Sequence, residues 1–307
     1  MALITVGTMA FDTIETPFGK AEKIIGGSAT YVAYTAANFI SPIQQISIVG
    51  NDFPQSEMED LKARGVQLDG VEVVKDKPSF FWSGKYHLDM NSRDTLVTDL
   101  NVLEDFNPIV PESYQGAEFL MLGNLMPKIQ LSVIDQLTTR PKLIVMDTMN
   151  FWMDVALDDL KEVLKKVDVL MVNDAEARQL SGVLSLVKAA NIIMEMGPRF
   201  LIIKKGEHGA LLFHESHVFF APALPLEEVF DPTGAGDTFA GGFIGHLAKT
   251  KDISFDNMKT AIIVGSAMAS FCVEKFGTER LKEITKADID ERIQQFVNLV
   301  QFDIDLV

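Results

Sequence analysis

Glycines, an acid and the start of a helix come together in one stretch of the sequence, Asp231-Pro232-Thr233-Gly234-Ala235-Gly236-Asp237-Thr238-Phe239-Ala240-Gly241-Gly242. Gly234 and Gly236 have no Cβ atom, so the backbone can turn sharply and aim several N–H groups at one point. Apolar residues then recur at helical spacing from Phe239 to Leu247. The turn therefore leads into a helix N-terminus, whose unpaired N–H groups and partial positive charge suit an anion.

Asp237 places a carboxylate inside this predicted anion site, where it repels a bound anion. It is either a base that faces a hydroxyl group while the N–H groups hold a transferring phosphoryl group, or an N-cap residue worth about 1 kcal/mol. Gly241, Gly242 and Gly245 lie inside the predicted helix, where each costs up to about 1 kcal/mol relative to alanine. Such a helix indicates that something approaches it closely, and we therefore favour the base.

Two features near the N-terminus could bind a substrate. Asp12 follows the first apolar strand; its carboxylate could accept hydrogen bonds from a vicinal diol, or it could be a turn residue. Gly26, Gly27 and Ser28 open a helix that we expect to run to about Phe39. The paired glycines either let a substrate approach backbone N–H groups or form a plain loop-to-helix turn.

Polar groups also follow later strands. Asn173 and Glu176 have the spacing of a capping box, and the carboxylate could equally order water bound to Mg²⁺. Lys204 precedes a loop with Gly206 and Gly209, which is either a hairpin turn with solvated lysines or a loop beside phosphates. Two more strand ends carry Asn124, and Asp147 with Asn150; for these and for Arg93 we favour a structural role.

Composition narrows the class of protein. The chain has 307 residues, 47% of them hydrophobic, and a net charge of −16, which argues against nucleic-acid and anionic-membrane partners. Its single cysteine, Cys272, allows no disulfide within the chain and is expected to be a buried apolar residue. The N-terminus is expected to form a strand, and no apolar run is long enough to span a bilayer. A cytoplasmic protein is predicted.

The order of elements predicts an α/β fold. From Glu118 onward, apolar strands alternate with helical segments, including helices from Pro127, Asp154 and Asp174. This alternation predicts a doubly wound, mostly parallel sheet with helices on both faces. Two other regions, roughly 12–25 and 71–98, are expected to form a small β lid, because the second alternates and is rich in aromatic residues. The whole chain, 1–307, is predicted to be one domain.

The segment from Asp231 to Gly242 resembles the C-terminal signature of the ribokinase-like (PfkB) carbohydrate kinases. The resemblance implies that Asp237 is the catalytic base and that Gly234, Ala235 and Gly236 form the anion hole. It implies ATP and Mg²⁺ as cofactors, with Glu176 and Asp231 as the residues nearest metal ions, and a monovalent cation (K⁺) beside Asp231. In such kinases the lid covers the sugar, and a homodimer can form through it.

The same resemblance implies roles for the remaining candidates. Those that would bind the nucleotide are Asn173, Glu176, Lys204, Gly206, Gly209 and Thr233, and those that would bind the substrate are Asp12, Gly26, Gly27 and Ser28. Lys204 stands where the family frequently has threonine. Tyr31 stands where the family commonly has an asparagine that touches the sugar, and this departure concerns the identity of the substrate.

The predicted function is transfer of the γ-phosphoryl group of ATP to a hydroxyl group of a small sugar or sugar-like molecule. A nucleoside kinase of the same fold and a non-catalytic sugar or nucleotide sensor are the alternatives. A Rossmann dinucleotide enzyme is disfavoured, because Phe239 stands where the G-x-G-x-x-G motif needs glycine. The sequence does not decide among a sugar, a sugar phosphate and a nucleoside as acceptor.

Overall fold

The computed structural model describes residues 2–301. In chain order the strands are β1 (Leu3–Val6), β2 (Ala10–Thr16), β3 (Gly19–Gly26), β4 (Ile43–Gly50), β5 (Val66–Val74), β6 (Phe80–Tyr86), β7 (Arg93–Asp99), β8 (Phe119–Leu122), β9 (Leu143–Asp147), β10 (Val169–Asn173), β11 (Phe200–Lys204), β12 (Ala210–His214) and β13 (His217–Ala221). The helices are α1 (Ser28–Ala36), α2 (Gln55–Ala63), α3 (Pro127–Gln136), α4 (Asn150–Val155), α5 (Leu157–Leu164), α6 (Asp174–Ser181), α7 (Leu186–Met194), α8 (Ala235–Thr250), α9 (Phe255–Cys272), α10 (Glu279–Glu283) and α11 (Lys286–Val300).

Nine strands form one large sheet in the order β13-β12-β11-β10-β9-β8-β1-β4-β5. The pairs from β5 to β11 are parallel, and β12 and β13 add an antiparallel edge. The apolar strands separated by helices therefore form the mostly parallel sheet that their pattern predicts. The alternation from Glu118 onward correctly places most of these strands.

Helices cover both faces of this sheet. Leu3, Phe119 and Leu143 belong to one core, which is completed by α1, α8 and α9. Their chain neighbours Ile4, Leu120 and Ile144 belong to a second core, completed mainly by α3, α5, α6 and α7. Because successive strand residues point to opposite faces, each strand contributes to both cores, and the doubly wound prediction is confirmed.

A second sheet of four strands has the order β3-β2-β6-β7. The β2–β6 pair is parallel and the other two pairs are antiparallel. The expected lid segment 71–98 began too early, since Val71–Val74 is the end of β5 and pairs with β4 at the edge of the large sheet. Alternation is the same in an edge strand and in a lid strand, so the pattern alone did not separate them.

Two helix boundaries also differ from expectation. The helix expected from Asp154 begins at Asn150, and it is divided by Ala156, whose φ of −146° is not helical. Helix α1 ends at Ala36 instead of Phe39, and residues 37–39 form a turn. Neither change moves a predicted site residue off its strand end.

Candidate active site

The stretch that carries the predicted anion hole forms a tight turn and the first turn of α8. Gly234 is the N-cap residue with a φ of 76°, a left-handed conformation that favours glycine. The Ala235 N–H donates to the Pro232 carbonyl at 3.2 Å. Within residues 2–301, the N–H groups of Gly236 and Asp237 have no backbone partner. The Asp237 N–H interacts with the Asp237 carboxylate, so the Gly236 N–H is the one that remains available for an anion at the helix N-terminus.

Asp237 lies in this first turn and is not its cap. Gly234 occupies the N-cap position, and no side chain caps the helix. Burial raises the pKa of Asp237 to about 7, with a further rise from Asp147, while Lys204 and Arg93 oppose the shift. The carboxylate also interacts with its own backbone N–H, which lowers its pKa. A carboxylate whose pKa lies near neutrality is suited to accepting a proton from a hydroxyl group.

The glycines inside α8 are explained by helix packing. A methyl group on Gly241 would lie 2.8 Å from Thr35 of α1, and one on Gly242 would lie 3.0 Å from the Cα of Gly265 in α9. Gly245 faces α1 and the turn after it in the same way. The close approach expected from the sequence is therefore made by neighbouring helices, and these glycines carry no evidence of a ligand.

Asp231 holds the turn before α8 in place. Its carboxylate oxygens accept hydrogen bonds from the N–H groups of Thr233 (2.8 Å) and Gly277 (2.9 Å), and the residue is fully buried. Burial raises the pKa of Asp231, and the two N–H donors oppose that rise. Thr233 also donates its hydroxyl to the Tyr86 hydroxyl at 3.1 Å, which joins the turn to the small sheet.

Asp12 and the paired glycines lie on the other side of this turn. The Asp12 carboxylate lies against Gly26, where an added Cβ would be 1.9 Å from Oδ2. Gly27 has a φ of 95° and packs on the Thr8 carbonyl, and Ser28 exchanges hydrogen bonds with Thr8. Burial, with the charges of Asp231 and Asp237, raises the pKa of Asp12 to about 8. The N-terminal and C-terminal glycine segments therefore meet at one site.

Tyr31 of α1 separates the two glycine segments. It is 1% exposed, and its hydroxyl has no hydrogen-bond partner among the described residues. Its ring lies under Gly234, so a Cβ there would meet ring carbons at 2.3–2.4 Å. The charges of Asp231, Asp12 and Asp237 all act on the phenol, which places it between the candidate substrate and phosphoryl sites.

Asn173 and Glu176 form a complete capping box at the start of α6. The Asn173 side chain accepts from the Glu176 N–H (2.8 Å), and the Glu176 carboxylate accepts from the Asn173 N–H (2.7 Å). The capping box that the sequence predicts for this pair is therefore present. Burial, and then Asp147, raises the pKa of Glu176 to about 7, so the same carboxylate also faces the cluster around Asp237.

Lys204 ends β11, and its ammonium group pairs with Asp147 at 2.5 Å. A Cβ on Gly236 would lie 3.1 Å from Lys204 Nζ, so the ammonium group lies beside the first turn of α8. The loop that follows is the predicted hairpin turn, since β11 and β12 are antiparallel. Its Gly206 (φ 54°) packs against Asn91 in the turn between β6 and β7, and Gly209 (φ 79°) packs against the Ala221 carbonyl.

With this geometry known, comparisons with known proteins identify the chain. Residues 5–285 match the pfkB family carbohydrate kinase. The chain belongs to this family of ATP-dependent kinases, so it is a phosphotransferase that acts on an alcohol group. This confirms the family, the ribokinase-like fold and the sugar or nucleoside kinase class that the sequence predicts.

Two relatives cover most of this PfkB kinase. A cytidine kinase of Thermococcus kodakarensis is 28% identical over 92% of this chain and 96% of its own length. A nucleoside kinase of Methanothermobacter thermautotrophicus is 24% identical over 90% and 91%. Among solved structures, a Methanocaldococcus jannaschii nucleoside kinase superposes with a TM-score of 0.76 at 21% identity, covering 96% of this chain and 99% of its own.

A further similar structure was solved with ligands. An Escherichia coli protein in complex with ATP and Mg²⁺ has a TM-score of 0.74 at 20% identity, and the match covers 97% of this chain and 99% of that protein.

No helix within residues 2–301 has both the length and the hydrophobicity needed to cross a bilayer.

The residues of this kinase fit a magnesium ion that arrives with a nucleotide. No group of three or more His, Cys, Asp or Glu side chains in the described chain could hold a metal ion by itself. Mg²⁺ in kinases is usually held by one or two carboxylates together with substrate phosphates. Glu176 keeps one carboxylate oxygen outside its capping box and lies near Lys204 and Asp147, which suits that arrangement.

Asp147 and Arg93, for which the sequence favours a structural role, have structural partners and also act electrostatically on the candidate site, Arg93 lying over the Trp82 ring at 5.7 Å. Asp147 is 5% exposed and pairs with Lys204, and its charge reaches both Glu176 and Asp237. Arg93, on exposed strand β7, has no ion pair among the described residues, and its charge also reaches Asp237 and Glu176. One sequence feature points to Asp147, namely that it ends a buried strand.

The other strand-end residues have local partners or lie exposed. Asn124 accepts a hydrogen bond from the indole of Trp152, and Asn150 starts α4 at an exposed position. Cys272 is fully buried and has the packing role expected for it.

Proposed function

We propose that Asp237 is the base of an ATP-dependent kinase that phosphorylates a hydroxyl group of a nucleoside or a closely related sugar. The observation that carries the proposal is the buried Asp237 carboxylate, which is not the N-cap residue, has its pKa raised to about 7 and lies in the first turn of α8. The acceptor hydroxyl gives its proton to Asp237, and its oxygen bonds to the γ-phosphorus of ATP while the bond from that phosphorus to the β–γ bridging oxygen breaks and ADP leaves.

Negative charge on the transferring group has several partners in this proposal. The Gly236 N–H group and the α8 dipole stabilise it, and the Lys204 ammonium group lies beside them. Gly234 and Ala235 shape the turn, while Gly206, Gly209, Thr233 and Asn173 border the nucleotide. When bound near Glu176, Mg²⁺ would supply positive charge to the nucleotide phosphates.

We place the acceptor between the two glycine segments. Asp12 accepts hydrogen bonds from the hydroxyl groups of the acceptor molecule, and Gly26, Gly27 and Ser28 form the backbone beside that molecule. A nucleoside is favoured over a free sugar, because the relative named as a cytidine kinase is 28% identical over 92% of the chain, whereas relatives named as ribokinases that align over a similar share of it are 24% or 25% identical. The small sheet is proposed to be the lid of a single kinase domain, since Tyr86 and Asn91 contact Thr233 and Gly206.

Three further proposals rest on separate features. A monovalent cation near Asp231 would compensate a buried carboxylate that has no cationic side chain within 4 Å in residues 2–301. Exposed Leu96 and Val97 on edge strand β7 support a homodimer through the lid. A cytoplasmic location is proposed, because this compartment supplies ATP. Comparing activity in K⁺ with activity in Na⁺ tests the cation proposal, and light scattering tests the homodimer proposal.

The deciding experiment is ATP turnover by Asp237→Asn with a panel of cytidine, other nucleosides, ribose and fructose. The variant preserves shape and removes the base, so we expect a loss of kcat of at least about 10²-fold with the best acceptor. Thermal melting checks that the variant is folded. Undiminished turnover by Asp237→Asn would remove the base assignment, and ligand binding without any phosphorylated product would favour a sensor.

A further inference from the structure

The ammonium group of Lys204 reaches its place by crossing a neighbouring strand. Lys204 pairs with Asn173 of β10 in register, and β10 pairs on its other side with β9, which ends at Asp147. Two strand spacings span about 10 Å. The Lys204 side chain therefore extends across the end of β10 to meet Asp147, at 2.5 Å from Oδ2.

Asp147 is itself held rigidly. Its Oδ1 accepts the Thr148 N–H at 2.8 Å, and its backbone carbonyl accepts from the Gln130 side chain at 3.2 Å. These bonds leave Oδ2 directed at Lys204. The side chains of Asp147 and Lys204 are only 7% and 17% exposed, so water screens this ion pair poorly.

We propose that Asp147 is a positioning residue that holds the Lys204 ammonium group beside Gly236, where it meets the transferring phosphoryl group, and keeps it from pairing with Asp237. This role rests on the proposed function of Asp237 as base. A lysine side chain has several rotatable bonds and behaves as a mobile point charge. Fixing it before the nucleotide arrives lowers the entropy cost of ordering it in the transition state.

Three carboxylates compete for this one ammonium group. Asp147, Glu176 and Asp237 all act on Lys204; burial alone would lower its pKa, but they hold that pKa above its usual value. Lys204 lowers the pKa of Asp237, and Asp147 raises it. An ion pair between Lys204 and Asp237 would make the base weaker, so the Asp147 pair protects its basicity. The other titratable groups that interact electrostatically with Asp237 are Arg93, Asp12, Tyr31 and Cys272.

A double-mutant cycle tests the pairing in the full chain. Lys204→Met is expected to lower kcat/KM for ATP by about 10²–10³-fold, as removal of one donor to a transition-state anion does. Asp147→Asn should lower it by about 10-fold or more and move the acid limb of its pH profile to lower pH, whereas Lys204→Met should move that limb to higher pH. The double variant should match Lys204→Met within about 3-fold, because the two residues act as one unit.

Asp168→Asn is the matched control. Asp168 is equally buried at 5% and pairs with Arg140 and Arg199 at 3.0 Å at the opposite end of the sheet. It should lose thermal stability and keep the pH profile of the unmodified enzyme. If Asp147→Asn does not fold, Asp147→Glu moves the carboxylate by one methylene and should raise KM for ATP.

Additive effects in the cycle, an unmoved acid limb in Asp147→Asn, or unchanged KM in Asp147→Glu would overturn the inference. Asp237→Asn, assayed in parallel, separates this failure from a failure of the proposed function. An inactive Asp237→Asn with an additive cycle removes only the role of Asp147. Full turnover by Asp237→Asn removes the base and the inference together.

Discussion

The ring of Tyr31 lies directly beneath Gly234, at 2.3 Å between the ring Cζ and the place where a Cβ on Gly234 would be. Tyr31 belongs to α1, which follows the N-terminal glycine segment, and Gly234 belongs to the predicted anion hole. Their contact means that the bend before α8 is fixed both by its positive φ of 76° and by the side chain under it. We therefore expect a change in the backbone at Gly234 to move the proposed base, Asp237, three positions later.

Gly234→Ala should therefore cost more than a left-handed glycine usually does. The φ penalty alone is about 1–2 kcal/mol, and the clash with Tyr31 adds to it. Gly182→Ala is the control, because Gly182 has a similar φ of 73° and nothing within 4 Å of an added Cβ. Urea unfolding should show a larger loss of stability for Gly234→Ala, and kcat should fall only in that variant. Equal losses in the two variants would contradict a clash with Tyr31.

Tyr31→Phe should leave the stability of the free protein unchanged or raise it by up to about 1 kcal/mol, because a buried hydroxyl without a partner is costly. Tyr34→Phe in the same helix removes bonds to Glu57 (2.6 Å) and Asp60 (2.8 Å) and should destabilise by about 1–3 kcal/mol, since its acceptors are charged. Chemical denaturation compares the two. A Tyr31→Phe variant as unstable as Tyr34→Phe would mean that the Tyr31 hydroxyl has a partner in solution.

The acid limb of kcat/KM should fall near neutral pH. A base must be ionised to accept a proton, and burial raises the pKa of Asp237 to about 7, so activity should drop about tenfold per unit below that pH. Arg93→Gln removes a positive charge that lowers this pKa and should move the limb to higher pH. Initial rates between pH 5 and 9 measure both. A limb near pH 4 in the unmodified enzyme would show that Asp237 is solvated in solution.

The fold and the phosphoryl site follow largely from local patterns in the sequence. Apolar strands separated by helical segments specify a parallel sheet, and ligands gather at the carboxyl ends of such strands. Lys204 and Asn173 are predicted as site residues in this way, because each ends a strand. The turn at Gly234 was found because its glycines and the following helix are contiguous in the chain.

Features that depend on strand order were not accessible from the sequence. Asp147 and Lys204 are 57 positions apart, and their strands are separated by a third, so no local pattern pairs them. The role of Gly241 and Gly242 depends on which helices pack against α8, which the sequence does not state. For the same reason Val71–Val74 was assigned to the lid, although it completes the large sheet.

The stability of the nucleotide-free protein should fall as the pH rises from 6 to 8.5. The pKa values of Asp12, Glu176 and Asp237 are raised to about 8, 7 and 7, whereas these groups ionise near pH 4 in the unfolded chain. The folded state therefore binds more protons in this window, and proton release on unfolding makes the free energy of unfolding decrease with pH.

Asp12→Asn removes the carboxyl group with the highest of these pKa values and should flatten this dependence, with a gain in stability that is larger at pH 8.5 than at pH 6. Asp168→Asn, a buried aspartate far from the site, should lower stability without flattening the slope. Urea midpoints across the window measure the difference between the variants. If stability falls as steeply with pH in Asp12→Asn as in the unmodified protein, the Asp12 carboxylate is already ionised at pH 6. In that case the repulsion among Asp12, Asp231 and Asp237 is relieved before any ligand binds.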